Sequence, residues 1–331
     1  MAEKENMMPP HPHHLAPLIP YPPPFVMRQL HAPAPAPPRQ SYNIKPATHE
    51  RRHQPMLTIV TPAYNAMPYI KACHDSIRSQ TYSAWRWIVV DDASTDGTAE
   101  YLDSIAETDN RITVSHRTEN SGNAKLPRDT GVTMAETERV MLIDADDTIS
   151  PDYVATMMET MDRMESDIVY PRMHFMDQQG RVRGTLPDIH LDNRLYTGKE
   201  TVMMTIPSWH IGCNGGLYRK PILQTVIKSS RQCLMNTDEV DERRCMLLTD
   251  RIAFAGTSYF YRCPPTSITS RKGRKQLDTL RTDRQLHRLI ISHYGIMSRA
   301  NMLMTIRRIL TLKAIIGMAV RTWKERGDRK K

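Results

Sequence analysis

The chain of 331 residues is 40% hydrophobic, enough to build one large or two modest domains, and it has no stretch of 18 uninterrupted apolar residues to span a membrane. Its first 30 residues lack the apolar core of a secretory signal peptide, and its five cysteines show no Cys-x-x-Cys spacing. We therefore expect a cytoplasmic protein with reduced thiols and exclude a disulfide framework or a zinc site.

The net charge of +9 is distributed unevenly along the chain. Residues 268–331 carry 17 Lys and Arg against 4 Asp and Glu, whereas residues 56–267 carry 22 against 29. The acidic middle of the chain does not favour nucleic-acid binding, and we expect no nucleic-acid partner. The basic end favours contact with an anionic surface.

Residues 1–55 contain 14 of the 24 prolines. Proline at this density is incompatible with the interior of helices and sheets and favours an extended, solvated chain. We therefore predict a disordered segment that serves as a spacer, with a docking site for a partner as the alternative.

After the proline-rich segment, strands alternate with helices. Residues 57–61 predict a strand that ends at Pro62, and residues 68–80 have apolar side chains at helical spacing. A second strand is predicted at residues 87–90. It is followed by a turn that leads into a helix at residues 98–107.

The alternation continues with a short strand at residues 112–114, a helix at 122–136 and a strand at 140–143. Strands that alternate with helices of this length are typical of right-handed βαβ units. We therefore predict an α/β fold, a Rossmann-like and mostly parallel sheet flanked by helices.

Three acidic residues, Asp144, Asp146 and Asp147, directly follow the apolar strand at 140–143. Residues at the end of a buried parallel strand lie at the carboxyl edge of the sheet, where open α/β folds bind their ligands. Carboxylates that are this close repel one another unless a cation lies between them, and oxygen ligands suit Mg²⁺ or Mn²⁺. The alternative is an acidic turn before a helix that begins near residue 151.

Several motifs, taken together, resemble the family 2 glycosyltransferases over roughly residues 56–270. They lie at residues 57–65, 79–82, 88–98, 119–122 with Arg128, 142–147, 214–219 and 259–262. The resemblance implies a GT-A fold and an inverting enzyme that uses a nucleotide-diphospho-sugar, here a UDP-sugar.

The resemblance also implies roles in donor binding. Asp92 would accept a hydrogen bond from the uracil, and Tyr64 would frame the base together with the backbone of Pro62 and Ala63. Two alternatives stay open, because Tyr64 could instead pack in the core and Asp91 could cap the following helix.

For the acidic motif, the resemblance implies that Asp144 and Asp146 hold Mn²⁺ or Mg²⁺, which would neutralise the departing UDP. Asp147 would bind the metal or the hydroxyl groups of the sugar.

Arg128 would contact the phosphate or the sugar of the donor. Its neighbours Pro127 and Asp129 depart from the family pattern, so the start of this helix is uncertain, and a solvated helix arginine is the alternative.

An inverting transfer needs a carboxylate that takes the proton of the acceptor hydroxyl. The family carries it on a Glu-Asp pair, which occurs here in reversed order at residues 237–242. Glu239 matches best by position, Asp238 follows closely and Asp241 is also eligible, whereas an acidic helix start without catalytic role is the alternative. Residues that precede the glycine pair at 215–216 would line the acceptor or sugar pocket, with a buried structural tryptophan as the alternative: Trp209, His210 and Asn214.

Residues 276–321 contain no proline and predict helices. Apolar residues from Met302 to Val320 interleave with Arg307, Arg308 and Lys313. A basic amphipathic helix is typical of a membrane-surface element, and packing on the catalytic domain is the alternative.

The sequence thus predicts a disordered segment at 1–55, a glycosyltransferase domain at 56–270 and a basic helical tail at 271–331. Within the domain, residues 56–150 form the nucleotide-binding half and residues 151–270 the acceptor half. The predicted reaction moves a sugar from a UDP-sugar to a glycan, a lipid-linked acceptor or another hydroxyl, in polysaccharide or glycoconjugate biosynthesis. It would take place in the cytoplasm or at the inner face of a membrane. The alternative is a nucleotide-sugar-binding relative without catalytic activity.

Overall fold

The computed structural model describes the chain from residue 56 to residue 328 with four gaps, and all statements below refer to these residues. The described ranges are 56–185, 193–206, 215–229, 237–263 and 276–328. The proline-rich segment, predicted to be disordered, lies outside them.

The described residues form a single mixed sheet with the strand order β3-β2-β1-β4-β8-β6-β9-β5, and β7 pairs with β6. The strands are β1 Leu57–Ala63, β2 Trp85–Asp91, β3 Ile112–His116, β4 Arg139–Leu142, β5 Thr148–Ile149, β6 Ile168–Met176, β7 Val182–Thr185, β8 Leu217–Arg219 and β9 Ile252–Arg262. Strands β1 to β4 are parallel, and β8 joins β4 in the antiparallel sense.

Helices cover both faces of the sheet. They are α1 Met67–Arg78, α2 Thr98–Thr108, α3 Lys125–Met134, α4 Tyr153–Arg163, α5 Gly198–Thr205, α6 Lys220–Ser229, α7 Thr237–Leu247, α8 Gln276–Tyr294 and α9 Arg299–Asp328. One apolar core lies beneath α1, α2 and α4, and the other beneath α3 and α5 to α9. The α/β fold predicted from the sequence is confirmed.

The alternating side chains of β1 and β4 explain the two cores. Ile59 and Met141 belong to the first core, whereas Val60 and Leu142 belong to the second. All four are at most 2% exposed, because successive residues of a strand point to opposite faces and both faces are covered. Burying one such side chain stabilises the fold by about 1.5–3 kcal/mol.

Strands β1, β2 and β3 are longer than the sequence predicts, whereas β4 has the predicted length of four residues. The predicted end of the first strand at Pro62 is wrong, because β1 continues through Pro62, opposite Val90, to Ala63, opposite Asp91. Proline lacks an N–H to donate, but its fixed φ is compatible with a strand.

The predicted tail helices are present as α8 and α9, and α9 packs on α8 and on the second core through Ala300 and Met304. Arg307 is only 8% exposed, so the sequence-based expectation that it lies on the outer basic face is wrong. Large apolar side chains cover the outer face of α9: Met302, Ile306, Ile309, Leu312 and Ile316. None of the helices in the described ranges is both long and apolar enough to cross a membrane.

Candidate active site

Three neighbouring parallel strands end at the same edge of the sheet. Tyr64 follows β1, Asp92 follows β2 and Asp144 lies two residues beyond β4. The hydrogen bonding between β1 and β4 continues one residue past β4, because the N–H of Ile143 donates to the carbonyl oxygen of Val60. The topology therefore brings the predicted donor-binding residues of three separate motifs to one edge.

One carboxylate oxygen from each of Asp144, Asp146 and Asp147 lies within 4.8 Å of the other two. Asp147 is fully buried and is held by β9, since the Tyr259 hydroxyl donates to its Oδ2 at 2.6 Å and the Arg262 N–H to its Oδ1 at 2.7 Å. Arg262 Nε also donates to the carbonyl oxygen of Asp146 at 2.8 Å. Strand β9, which lies in the second half of the chain, thus fixes residues 144–147, called the acidic loop below.

Burial raises the pKa of Asp146 to about 7, and the nearby charge of Asp144 adds to the shift. Burial also raises the pKa of Asp147, with further contributions from Asp146 and Asp144. Desolvated carboxylates in mutual repulsion are what a divalent cation relieves. The three acids supply hard oxygen donors, so the residues fit Mn²⁺ or Mg²⁺.

Arg128 extends from α3 to the acidic loop, and its Nη2 lies 2.8 Å from Asp144 Oδ1. Pro127 is buried in the first turn of α3 and does not prevent the helix from forming. The first N–H groups of a helix have no partner within it, so the missing N–H of proline removes no hydrogen bond there. Asp129 pairs with Lys125 at 2.5 Å.

Asp92 is 2% exposed and is held by the segment that follows β3. Its Oδ2 accepts hydrogen bonds from the N–H and the hydroxyl of Ser121, at 2.9 and 2.8 Å. Arg117 Nε lies 2.8 Å from its Oδ1, although without the direction of a hydrogen bond. Tyr64 is 48% exposed at the same edge and does not pack in the core, whereas Pro62 and Ala63 are buried in β1.

Asp91, the last residue of β2, is held by other partners than Asp92. Its Oδ2 accepts from Nδ1 of His116 at 3.1 Å, and its carboxylate accepts from the N–H of Ser94. It does not cap α2, because Asp96 accepts the hydrogen bond from the N–H of Thr98 at 3.1 Å. The alternative role considered for Asp91 is therefore wrong.

The three acids eligible as catalytic base lie on the first turns of α7. Asp238, Asp241 and Arg128 line the same cavity of about 40 Å³. Burial raises the pKa of Asp238, while the charge of Arg128 lowers it and those of Glu239 and Asp144 raise it. Asp238 therefore lies near Arg128, which pairs with Asp144.

Glu239 faces the opposite way. Its Oε2 lies 2.5 Å from Arg307 Nη2, in the interface between α7 and α9. Asp241 forms an ion pair with Lys125 at the start of α3, where its Oδ2 lies 3.2 Å from Lys125 Nζ. Asp238 and Asp241 thus lie on the cavity side of α7, whereas Glu239 lies on the side that faces α9.

The residues expected in the acceptor pocket, Trp209, His210 and Asn214, lie outside the described residues. Their predicted role stays a prediction.

A match to the family description "Glycosyl transferase family 2" spans residues 58–227, just over half of the chain. The chain belongs to glycosyl transferase family 2. The resemblance inferred from the motifs is thereby confirmed.

Three comparisons place this family 2 chain among known proteins. GlyG, a glycosyltransferase of Streptococcus pneumoniae serotype 4, is 31% identical over 123 residues, which are 37% of this chain and 40% of GlyG. TuaG of Bacillus subtilis strain 168, a glycosyltransferase named for teichuronic acid biosynthesis, is 33% identical over 127 residues, 38% of this chain and 50% of TuaG. S. aureus TarS 1-349, solved in complex with UDP-GlcNAc, has a TM-score of 0.59 at 21% identity, over 71% of this chain and 65% of that chain.

These comparisons confirm the predicted GT-A fold, because the likeness to TarS extends over most of the chain. The chain matches no more than half of the length of GlyG and TuaG. The family assignment therefore concerns the glycosyltransferase domain.

Sequence reasoning missed several residues of the glycosyltransferase domain that hold the site. Tyr259 and Arg262 belong to a segment that resembled a family landmark, but no role was predicted for them. Ser121 supports Asp92 and lies within another recognised motif. Glu242 is buried one turn after Asp238, where it accepts hydrogen bonds from Tyr170 and Tyr218. The sequence did contain a signal for Glu242, because residues four apart on a helix lie on the same face and Glu242 is four residues after the candidate base Asp238.

Proposed function

We propose that the protein transfers a sugar from a UDP-sugar to a hydroxyl group of a glycan or a lipid-linked acceptor, with inversion at the anomeric carbon. The reaction would serve polysaccharide or glycoconjugate biosynthesis, as the name of TuaG assigns to that relative. One observation carries the proposal: Asp92, the Arg128–Asp144 pair and Asp146 lie at one edge of the sheet, and Asp238 lines the same cavity as Arg128.

The donor half supports recognition of a uracil base. Asp92 is held rigidly by Ser121, with its carboxylate at the end of β2. A fixed carboxylate accepts from the N–H of the base without further loss of side-chain freedom. Tyr64 is exposed beside it and offers a flat surface for the ring. TarS, which shares the fold, was solved with UDP-GlcNAc, and a UDP-sugar donor is proposed here by analogy.

The acidic loop supports metal-assisted departure of UDP. Asp144 and Asp146 would hold Mn²⁺ or Mg²⁺, since both oxygens of Asp147 already accept hydrogen bonds from β9. When bound, the ion acts as a Lewis acid on the diphosphate. Arg128 adds a positive charge at the same place and orients Asp144 through their ion pair.

Asp238 is proposed as the catalytic base. Its raised pKa strengthens it as a proton acceptor near neutral pH. The acceptor O–H loses its proton to the carboxylate of Asp238, and its oxygen forms a bond to the anomeric carbon. The bond from this carbon to the UDP oxygen breaks, and its electron pair leaves with UDP. The backside approach of the acceptor gives inversion.

A non-catalytic nucleotide-sugar-binding protein is the alternative. It would need Asp92 and the acidic loop, but it would not need a desolvated carboxylate at Asp238. The full chain, incubated with Mn²⁺ and a panel of UDP-sugars and glycan acceptors, distinguishes the two by release of UDP. Asp238→Asn should abolish transfer while UDP still raises the melting temperature. UDP binding without turnover of any donor in the panel would favour the alternative.

We further propose that the protein binds its acceptor at an anionic membrane surface, on the cytoplasmic side. The apolar outer face of α9 from Met302 to Ile316 is exposed, and Arg299 and Lys313 are exposed on the same helix. Insertion of apolar area contributes about 25 cal/mol per Å², and each engaged basic residue adds about 1 kcal/mol. The full chain should therefore bind vesicles that contain anionic lipid, and salt should weaken but not abolish binding.

A paired substitution tests this membrane proposal. Ile309→Ser with Lys313→Glu should release the protein from vesicles without affecting UDP binding at the sheet edge. A protein that ignores anionic vesicles at low salt would contradict the proposal.

A further inference from the structure

Four buried charged side chains from three helices meet between α7 and α9. They are Glu239 and Arg243 of α7, Asp283 of α8 and Arg307 of α9, and each is at most 8% exposed. Arg307 Nη2 lies 2.5 Å from Glu239 Oε2 and 3.6 Å from Asp283 Oδ1. Arg243 Nη1 lies 3.6 Å from the same oxygen of Glu239. Two acids and two arginines thus balance one another.

Stability alone does not account for this cluster. Replacing a buried ion pair by apolar residues is often neutral or stabilising, because the two charges lose their hydration when they are buried. Arg307 also lies near apolar residues of α9 that already fasten the helix to the second core, among them Met304. What ion pairs add to such a contact is geometry, since they fix which residues face each other.

The geometry of interest is that of the first turn of α7. Successive residues of a helix point about 100° apart, so neighbouring side chains face different surroundings. Asp238 lines the cavity that Arg128, the partner of Asp144, also lines, whereas the next residue, Glu239, faces α9. The first turn of a helix has unsatisfied N–H groups and few restraints of its own. Contacts made by its side chains therefore decide where it lies.

Arg243 contributes from within α7. Its Nη1 donates to the carbonyl oxygen of Glu239 at 2.9 Å, and its Nη2 donates to the carbonyl oxygen of Thr205 at 2.9 Å. The backbone at Glu239 is thus joined to α5, and its side chain is joined to α9. Both contacts restrain the residue next to Asp238.

We infer that Arg307 is a positioning residue for the transfer reaction: its ion pair with Glu239 fixes the first turn of α7 and so holds Asp238 at the donor site. The inference rests on the proposed function, in which Asp238 is the base. It gives the C-terminal helix a role in catalysis through a residue that touches neither donor nor acceptor.

The test compares Arg307→Met with Arg308→Met in the full chain. Arg308 also joins α9 to α8, because its Nη1 lies 2.7 Å from Nδ1 of His287, but it has no contact with α7 among those the structure gives. Each variant is measured for kcat at saturating donor, for KM of the donor, for UDP affinity and for melting temperature.

Arg307→Met should lower kcat by about 10- to 100-fold, the usual cost of a misplaced catalytic group, with the UDP affinity and the KM of the donor unchanged. Arg307→Lys, which keeps the charge, should recover part of the loss. Arg308→Met should keep the wild-type kcat. Equal effects of Arg307→Met and Arg308→Met on kcat would overturn the inference.

The double variant Glu239→Gln with Arg307→Met separates positioning from stability. It removes one charge of each sign, so it should fold with a higher melting temperature than Arg307→Met. Its kcat should stay low, because the link to α9 is still broken. Recovery of kcat together with stability would show a merely structural role and overturn the inference.

Asp238→Asn separates this inference from the proposed function. If Asp238→Asn keeps the wild-type kcat, the assignment of the base fails, and the inference fails with it. If Asp238→Asn is inactive while Arg307→Met keeps the wild-type kcat, the positioning inference alone fails.

Discussion

Two clusters of acids differ in how their charge is balanced. At the sheet edge, the three acids Asp144, Asp146 and Asp147 lie near two arginines, Arg128 and Arg262, and burial still raises the pKa of Asp146 to about 7. Between α7 and α9, the acids Glu239 and Asp283 are matched by two buried arginines.

The difference separates a ligand site from a structural contact. A fold that lacks a ligand gains nothing from an excess of desolvated negative charge, so the unbalanced cluster is an indication of a cation that arrives from outside. The balanced cluster needs no such ion. Substitutions in the two clusters should therefore change stability in opposite directions, and the predictions below test this contrast and the roles assigned to the neighbouring acids.

Asp146→Asn should lower turnover by about 10³-fold, since a lost metal contact removes several kcal/mol of transition-state stabilisation. The metal-free variant should melt at a higher temperature than the metal-free wild type, because one of three repelling charges is gone. Asp162→Asn is the control, as Asp162 pairs with Arg139 at the other end of β4. Turnover of Asp146→Asn that stays near the wild-type value in EDTA would contradict the metal assignment.

Asp92→Asn should weaken UDP binding by about 10- to 100-fold, as expected when a charged hydrogen-bond acceptor is lost. Asp91→Asn is the matched control one residue earlier, because Asp91 bonds to His116 and has no role in the proposed donor site. Calorimetric titration with UDP measures both variants. Equal losses of affinity in the two variants would remove Asp92 from the donor site.

Glu242→Gln tests a third kind of buried acid, one whose hydrogen bonds come from tyrosines. Burial raises the pKa of Glu242 from 4.5 to about 8. An acid whose pKa is raised on folding keeps its full contribution to stability below pH 4.5 and loses it as the pH rises towards 8. The variant should match the wild type at pH 4.5 and exceed its free energy of unfolding by about 3–5 kcal/mol near pH 9. Urea unfolding at several pH values measures how this difference in the free energy of unfolding changes with pH. A difference that stays constant from pH 4.5 to pH 9 would contradict the prediction.

Arg307→Met should lower the free energy of unfolding by about 3–5 kcal/mol, because it removes the buried partner of Glu239 and Asp283. This sign is opposite to that predicted for metal-free Asp146→Asn. Urea unfolding at pH 7 without metal compares the two variants directly. A stabilising effect of Arg307→Met would break the contrast between the clusters.

Deletion of residues 1–50 should have the smallest effect. The proline-rich composition predicts few buried contacts, so the melting temperature and the turnover on a soluble acceptor should stay nearly unchanged. A large loss of stability on deletion would show that the segment packs on the domain.

Local pattern was enough to predict the sheet edge. The apolar runs of β1, β2 and β4 predict buried strands, and the polar residues that follow each run must meet at one edge. The pattern could not predict that β1 passes through Pro62, since this depends on the pairing with Val90.

The orientation of the acids on α7 could not be predicted in the same way. Glu239 matched the family pattern best by position, but which acid faces the donor depends on the docking of α9, more than 60 residues later in the chain. The composition of α9 likewise indicates a basic amphipathic helix without revealing that Arg307 faces inwards. Contacts between residues far apart in the chain decide which acid of α7 faces the donor and where Arg307 points. Such contacts cannot be predicted from the local pattern of a single sequence.

The most direct test of the account is a calorimetric titration of the full chain with UDP, in the presence and absence of Mn²⁺. The account predicts saturable binding that is strengthened by Mn²⁺ and reversed by EDTA, because the unbalanced carboxylates at the sheet edge hold the ion that meets the diphosphate. Binding of UDP with the same affinity with and without the ion, or no binding in either condition, would contradict it.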